Sequence, residues 1–237
     1  MSQPPKIDRK ILKSPDEFVK SGTRILGVIA ASRIKIVPAL IAVAVVLLGL
    51  YAYDAWDDSQ DQKSWVAYHD ASKASGAEKW NKLKEVHTRW GSTRAGSLAA
   101  VNVADHAFDQ AKEAVLKNTA ETTSGEAAEW YGKALTFKNL EAMEKQLLLI
   151  NKAQALELGK KWDEALNELK TAADMGGDNK ALALLSAARI QELKGEPKLA
   201  LEAYDKIAAD FATSEFGKQA RNQARRLKSS LFKDQTL

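Results

Sequence analysis

Three histidines, His69, His87 and His106, are the side chains best suited to moving a proton or holding a metal, and they stand 18 and 19 positions apart. Proton transfer needs a partner within hydrogen-bond reach, and a metal needs several ligands converging on one point. None of the three has a histidine four residues away or an H-E-x-x-H setting. A site would require the fold to gather them with carboxylates such as Asp70 or Asp105, so solvated or half-buried helix histidines are expected instead. The chain has no cysteine, which removes thiol nucleophiles, zinc-thiolate sites, disulfides and a cysteine-linked lipid anchor. Neither G-x-x-x-x-G-K-[ST] nor G-x-S-x-G occurs, and the Gly-Gly-Asp at 176–178 reads as a turn between helices. No catalytic, cofactor or metal site is predicted. Contact, not bond-making, is the expected chemistry.

One charged pattern invites contact. Lys218, Arg221, Arg225 and Lys228 recur at helical spacing near the C-terminus, where they line a face opposite Phe216, Ala220, Ala224, Leu227 and Leu231. Such a stripe suits an acidic protein or anionic lipid, and equally a solvated outer face. Trp130 and Trp162 lie beside repeat positions, placed either to pack between helices or to line a groove.

The elements that must position these residues begin with an uncharged run, Ile36 to Tyr53. Eighteen helical residues span about 27 Å, close to a bilayer's hydrocarbon thickness. Arg33 and Lys35 stand at one end, Tyr51, Tyr53 and Trp56 at the other, as interfacial anchors do. Pro38 is expected in the first turn of the span, where a missing N–H costs little. Residues 1–35 carry eight Lys/Arg against three acids, while the remainder holds 27 basic and 28 acidic residues. The basic flank therefore stays inside and the C-terminal part crosses. The pI of about 9.0 is thus a topology signal, and nucleic-acid binding is not expected. No A-x-A pattern follows the run, so it reads as a permanent signal anchor. In a bacterium this places one pass in the inner membrane, N-terminus cytoplasmic and C-terminal domain periplasmic.

Before the span, "SPDEFVKSGTRILGVIAAS" opens with an S-x-x-E capping box at Ser14 and Glu17. It predicts an amphipathic helix, lying on the inner membrane surface or serving as an ordinary juxtamembrane segment. After it, helix continues to about Ser75. A second helix covers 77–90, with Trp80, Leu83, Val86 and Trp90 as apolar contacts. A third covers about 94–117, with Leu98, Val101, Ala104, Phe108, Ala111 and Val115 on one face.

From there the chain repeats. "SGEAAEWYGKAL", "KKWDEALNELKTA" and "GEPKLALEAYDKI" align with Ala127, Ala165 and Ala200 in register. Tyr131, Leu169 and Tyr204 follow by four residues, and Ala134, Ala172 and Ile207 by seven. Twelve residues before each anchor alanine stand Val115, Ala153 and Ala188. A period near 34 with these residue types resembles the tetratricopeptide repeat. Its helices approach closely at small residues, and an aromatic or leucine fills the space between neighbouring hairpins. The fold class is all-α: a single N-terminal transmembrane helix, then a tetratricopeptide-like helical-hairpin solenoid. The domains are 1–35 (basic leader), 36–53 (span), 54–76 (post-membrane helix and linker) and 77–237 (repeats).

The leader-and-span stretch "DEFVKSGTRILGVIAASRIKIVPALIAVAVVLLGLYAY" and the series "KLKEVHTRWGSTRAGSLAAVNVADHAFDQ" together resemble the ancillary SecYEG translocon subunit family. The resemblance covers most of the chain. It implies a non-enzymatic inner-membrane protein associated with SecYEG and with a membrane-anchored periplasmic chaperone of the prolyl-isomerase type, receiving exported proteins. A scaffold of another envelope machine, a secretion or motility apparatus, is the alternative, and an oligomeric structural role, in which the solenoid face meets its own copy, is a further reading.

Overall fold

The computed structural model describes residues 33–115 and 120–234, all of it helix and turn. The leader helix expected from Ser14 lies outside the described residues. The helices are α1 (Arg33–Lys73), α2 (Gly76–Trp90), α3 (Arg94–Val115), α4 (Ala120–Ala134), α5 (Ala142–Leu158), α6 (Trp162–Asp174), α7 (Lys180–Leu193), α8 (Pro197–Asp210) and α9 (Glu215–Asp234). The chain divides into two compact units, Met1–Asp58 and Ser59–Leu237.

The first unit contains the apolar part of α1. It is the one described helix long and apolar enough to cross a membrane. Leu40, Val45, Leu48 and Leu50 are all exposed there, an arrangement unfavourable in water and natural in lipid. One expectation is corrected. The described helix begins at Arg33, so Pro38 stands in its interior and not in its first turn. Pro38 therefore withholds a hydrogen bond from the Ile34 carbonyl.

The second unit is a stack of helices in which, from α2 onward, each packs on its chain neighbour, most extensively α3 on α4. Alanine makes this possible. The seam of α3 is Ala95, Ala99, Ala100, Val103, Ala104, Ala107 and Ala111, all buried. The larger Leu98, Val101 and Phe108, expected at the centre of that face, are only half-buried at its flanks. Small side chains let the two backbones approach, so the bulky ones are displaced to the margin.

The nine residues aligned in the sequence, Ala127, Tyr131, Ala134, Ala165, Leu169, Ala172, Ala200, Tyr204 and Ile207, are all buried. They divide between two clusters. Those of α4 and α6 belong to a core reaching from the end of α1 to α7, and those of α8 to a smaller one shared by α7, α8 and α9. Ala153 and Ala188, twelve residues before their anchor alanines, are fully buried, but Val115 is exposed. The anchor alanine is the fourth residue of α6 and of α8 but the eighth of α4. The first hairpin is thus about one turn longer, and the equivalent position moves back one turn to the buried Ala111.

Turns between helices follow local chemistry. Gly176 and Gly177, both at positive φ, join α6 to α7. The buried Gln146 holds this turn from α5: its amide nitrogen donates to the Ala172 carbonyl at 2.8 Å and the Gly176 carbonyl at 2.7 Å. Gln146→Leu would leave one buried and one partly buried carbonyl short of a donor, so a loss of about 1–3 kcal/mol is expected. Chemical denaturation of the 59–237 unit measures it, and a midpoint unchanged from wild type would show that the amide is dispensable. Lys160, at φ 57, occupies in the α5–α6 turn the left-handed position that Gly195 takes 35 residues later in the α7–α8 turn.

Candidate protein-binding groove

The histidines do not converge. His106 stacks on Trp80 with ring centroids 3.8 Å apart. The Nδ1 of His87 is 3.1 Å from the Gly96 carbonyl oxygen, and its ring meets Trp130 edge-on. His69 is exposed beside Trp65 and Tyr68. Among the described residues no group of three or more His, Asp or Glu side chains is placed to hold a metal ion. Trp130 is buried, with the Lys133 ammonium 3.8 Å over its ring, and Trp162 is half-buried against the main core.

A groove of about 440 Å³ runs across α5, α7 and α9, with Tyr204 of α8 also in its lining. These three are the first helices of successive hairpins, so their exposed faces lie side by side. The α7 residues at Leu182, Leu185, Ser186 and Arg189 have the i, i+3, i+4, i+7 spacing of one helical stripe. Gln154 contributes from α5, and Gln219, Asn222 and Gln223 from α9.

Two arginines in and beside the groove are paired across helices. Arg189 of α7 donates two hydrogen bonds to Glu157 of α5, at 2.5 and 2.6 Å. Arg226 of α9 does the same to Glu192 of α7, at 2.5 and 2.7 Å. The two pairs make a ladder of identical sense along the stack, which sets register more than it adds stability, since exposed pairs contribute little. Burial, then the nearby Glu192 charge, pushes the Tyr204 phenol up to about 12, so it stays protonated and donates toward Glu192 at 3.4 Å. Gln223 accepts from the Arg226 Nε at 2.9 Å. Gln154, Gln219 and Asn222 have no side-chain partner among the described residues and keep donor and acceptor free. Two leucines beside three free carboxamides can bind amide groups and apolar side chains together.

Of the basic stripe, Lys228 is drawn to Asp205 of α8 at 2.9 Å and Lys218 to Glu215 at 3.5 Å. Arg221 and Arg225 are exposed and have no partner among the described residues. The groove itself escaped the sequence reading, although a signal existed. Gln154 and Arg189, and likewise Glu157 and Glu192, are 35 residues apart, so the polar face repeats with the same period as the alanines.

Further along the stack, Arg94 at the start of α3 pairs with Glu144 of α5. That hydrogen bond holds the Glu144 carboxyl below the ordinary carboxylate range. Glu144 also completes the capping box of α5 with Glu141.

A stack of helical hairpins with a groove that offers contact chemistry defines an α-helical repeat protein of the tetratricopeptide-like class. No family model matches the sequence, and no curated protein matches it. The translocon-subunit resemblance therefore rests on the motifs quoted from the sequence. Among solved structures, the chain is similar to a kinesin light chain-like protein of Podosopora anserina with nearly identical TPR-like repeats, and to a single-substitution variant of it. In each case the identity is 13% and the TM-score 0.48, over 76% of this chain and 88% of the other. The hairpin order is given by this chain's own helix pairing.

Proposed function

We propose that this chain is a membrane-anchored, non-enzymatic scaffold whose repeat unit binds an extended polypeptide segment in the groove between α5, α7 and α9. The observation that carries the reading is the groove's lining: three carboxamides with free donors and acceptors beside two leucines, with Arg189 and Arg226 already paired. Affinity would come from scattered apolar contact and main-chain hydrogen bonds, a mode tolerant of sequence. The uncharged span, with its basic flank, supports anchoring in the bacterial inner membrane with the repeats on the periplasmic side. On that side an emerging exported polypeptide is the fitting occupant, with SecYEG and a membrane-anchored periplasmic chaperone as the associated machinery.

A photo-crosslinking amino acid placed at Gln154 or Asn222 of the full-length protein tests this in cells. Adducts with exported polypeptides are expected at both positions and not at the exposed Glu202 of α8. Adducts with polypeptides from a different envelope machine would keep the groove and replace the host. Adducts equally abundant at Glu202 would refute the groove as the binding site.

A further inference from the structure

The groove has one charged border. Lys218 lies one turn before Asn222 on α9 and Arg225 almost one turn after it, so both flank a groove-lining carboxamide on the helix surface. Arg221 is one turn before Arg225. Elsewhere in the groove positive charge is already used, since Arg189 is held by Glu157 and Arg226 by Glu192. From α5 to α7 and from α7 to α9, a carboxylate on one first helix meets an arginine on the next. Among the described residues no helix follows α9. Arg221 and Arg225 take no part in this ladder, and among the described residues neither meets a carboxylate.

We propose that Arg221 and Arg225 receive an acidic stretch of the same extended polypeptide, while Gln219 and Asn222 bind its main chain. The inference rests on the groove reading above. Spacing supports it: residues four apart on a helix are displaced by about 6 Å along its axis. Alternate residues of an extended chain point to one side and repeat at about 6.5–7 Å. Carboxylates at alternating positions of a bound strand thus match the two guanidinium groups in step. Carboxamides also favour a polypeptide over a lipid headgroup. A main-chain amide engages their donor and acceptor together, whereas a phosphate accepts only and engages the donor alone.

The test is peptide binding by fluorescence anisotropy, with the full-length protein in nanodiscs of neutral lipid. Two labelled peptides are compared, one with glutamates at alternating positions and one with glutamines there. The wild type is expected to bind the glutamate peptide about tenfold more tightly, the scale of two partly exposed ion pairs. Raising ionic strength should erode that advantage. In Arg221→Gln/Arg225→Gln the preference should fall below about twofold, while the glutamine peptide binds as before, which also verifies folding. Equal binding of both peptides by the wild type would overturn the acidic preference and leave the groove standing. Binding of neither would overturn both readings. Displacement of the glutamate peptide by phosphatidylglycerol vesicles, dependent on the two arginines, would assign them to lipid and overturn the proposal.

Discussion

Tyr131→Ala is expected to destabilise the repeat unit by about 3–5 kcal/mol, the range for deleting a large buried aromatic side chain. Tyr131 is 2% exposed near the C-terminal end of α4, in the main core with the alanine seam of α3. The substitution removes a ring and leaves a void whose walls are helices already close together through alanines, with little room to collapse. A domain of this size has about 5–15 kcal/mol in total. At about 2–4 °C per kcal/mol, the thermal midpoint should fall by roughly 10–15 °C. Tyr131→Phe separates ring from hydroxyl. The hydroxyl donates to Asp105 Oδ1 at 2.5 Å, and burial followed by that carboxylate pushes the phenol above its ordinary range. Asp105 is exposed and recovers water when the hydroxyl goes, so Phe should cost only about 1 kcal/mol. Circular dichroism melts of the 59–237 unit measure both variants. A Tyr131→Ala midpoint within two or three degrees of wild type would mean that the stack closes over the void.

The second large effect is expected at two glycines that an alanine scan would treat as harmless. In "WGSTRAG" and "FATSEFG" an aromatic residue, a hydroxyl three later and a glycine three later still recur at identical spacing. Thr93 Oγ1 donates to the Trp90 carbonyl at 2.8 Å and accepts from the Gly96 N–H at 3.2 Å. Ser214 Oγ makes the same two bonds with Phe211 at 2.9 Å and Gly217 at 3.0 Å. Each hydroxyl caps its helix, and the turn it ties folds the preceding carbonyl onto the third helical residue. A Cβ on Gly96 would overlap the Trp90 carbonyl oxygen, and one on Gly217 the Phe211 carbonyl oxygen. The obstacle is backbone, so relief requires giving up the cap.

Gly96→Ala or Gly217→Ala should therefore cost about 2–4 kcal/mol, overpacking and a lost cap together. The two should differ in reach, because a hairpin stack is stabilised through nearest neighbours. Gly96 lies under the main core, so its loss should lower the whole melt. Gly217 governs only α9, so its loss should expose the smaller cluster around Tyr204 first. Hydrogen exchange resolves this: faster exchange confined to α8 and α9 is expected for Gly217→Ala. A uniform rise across the unit in that variant would contradict the two-cluster view of the core.

The long apolar helix and the all-helical class were legible because both are properties of single segments. Eighteen uncharged residues, and alanine and leucine at helical spacing, need no distant partner to be recognised. The repeat register was legible at Ala165, Leu169, Ala200 and Tyr204, where hairpins of equal length keep the period intact. It failed one helix earlier, at Val115, because a turn added to α4 leaves the residue types unchanged while shifting which one faces inward. On α3 periodicity selected the large apolar residues, and packing selected the alanines beside them.

From sequence alone came the anchor candidate, the helical class and the alanine register, each determined by local composition and the 3.6-residue period. Only the tertiary structure decided which polar residues meet. Gln154, Arg189 and Asn222 come from three helices, and no pattern within one helix says that their faces will adjoin. It also decided which of the basic residues in the C-terminal stripe are spent: Lys228 on Asp205 and Lys218 on Glu215, with Arg221 and Arg225 left over. Charge and hydrogen-bond partners are set by distances of a few ångströms between segments remote in the chain, and that spacing exists only after the hairpins have stacked.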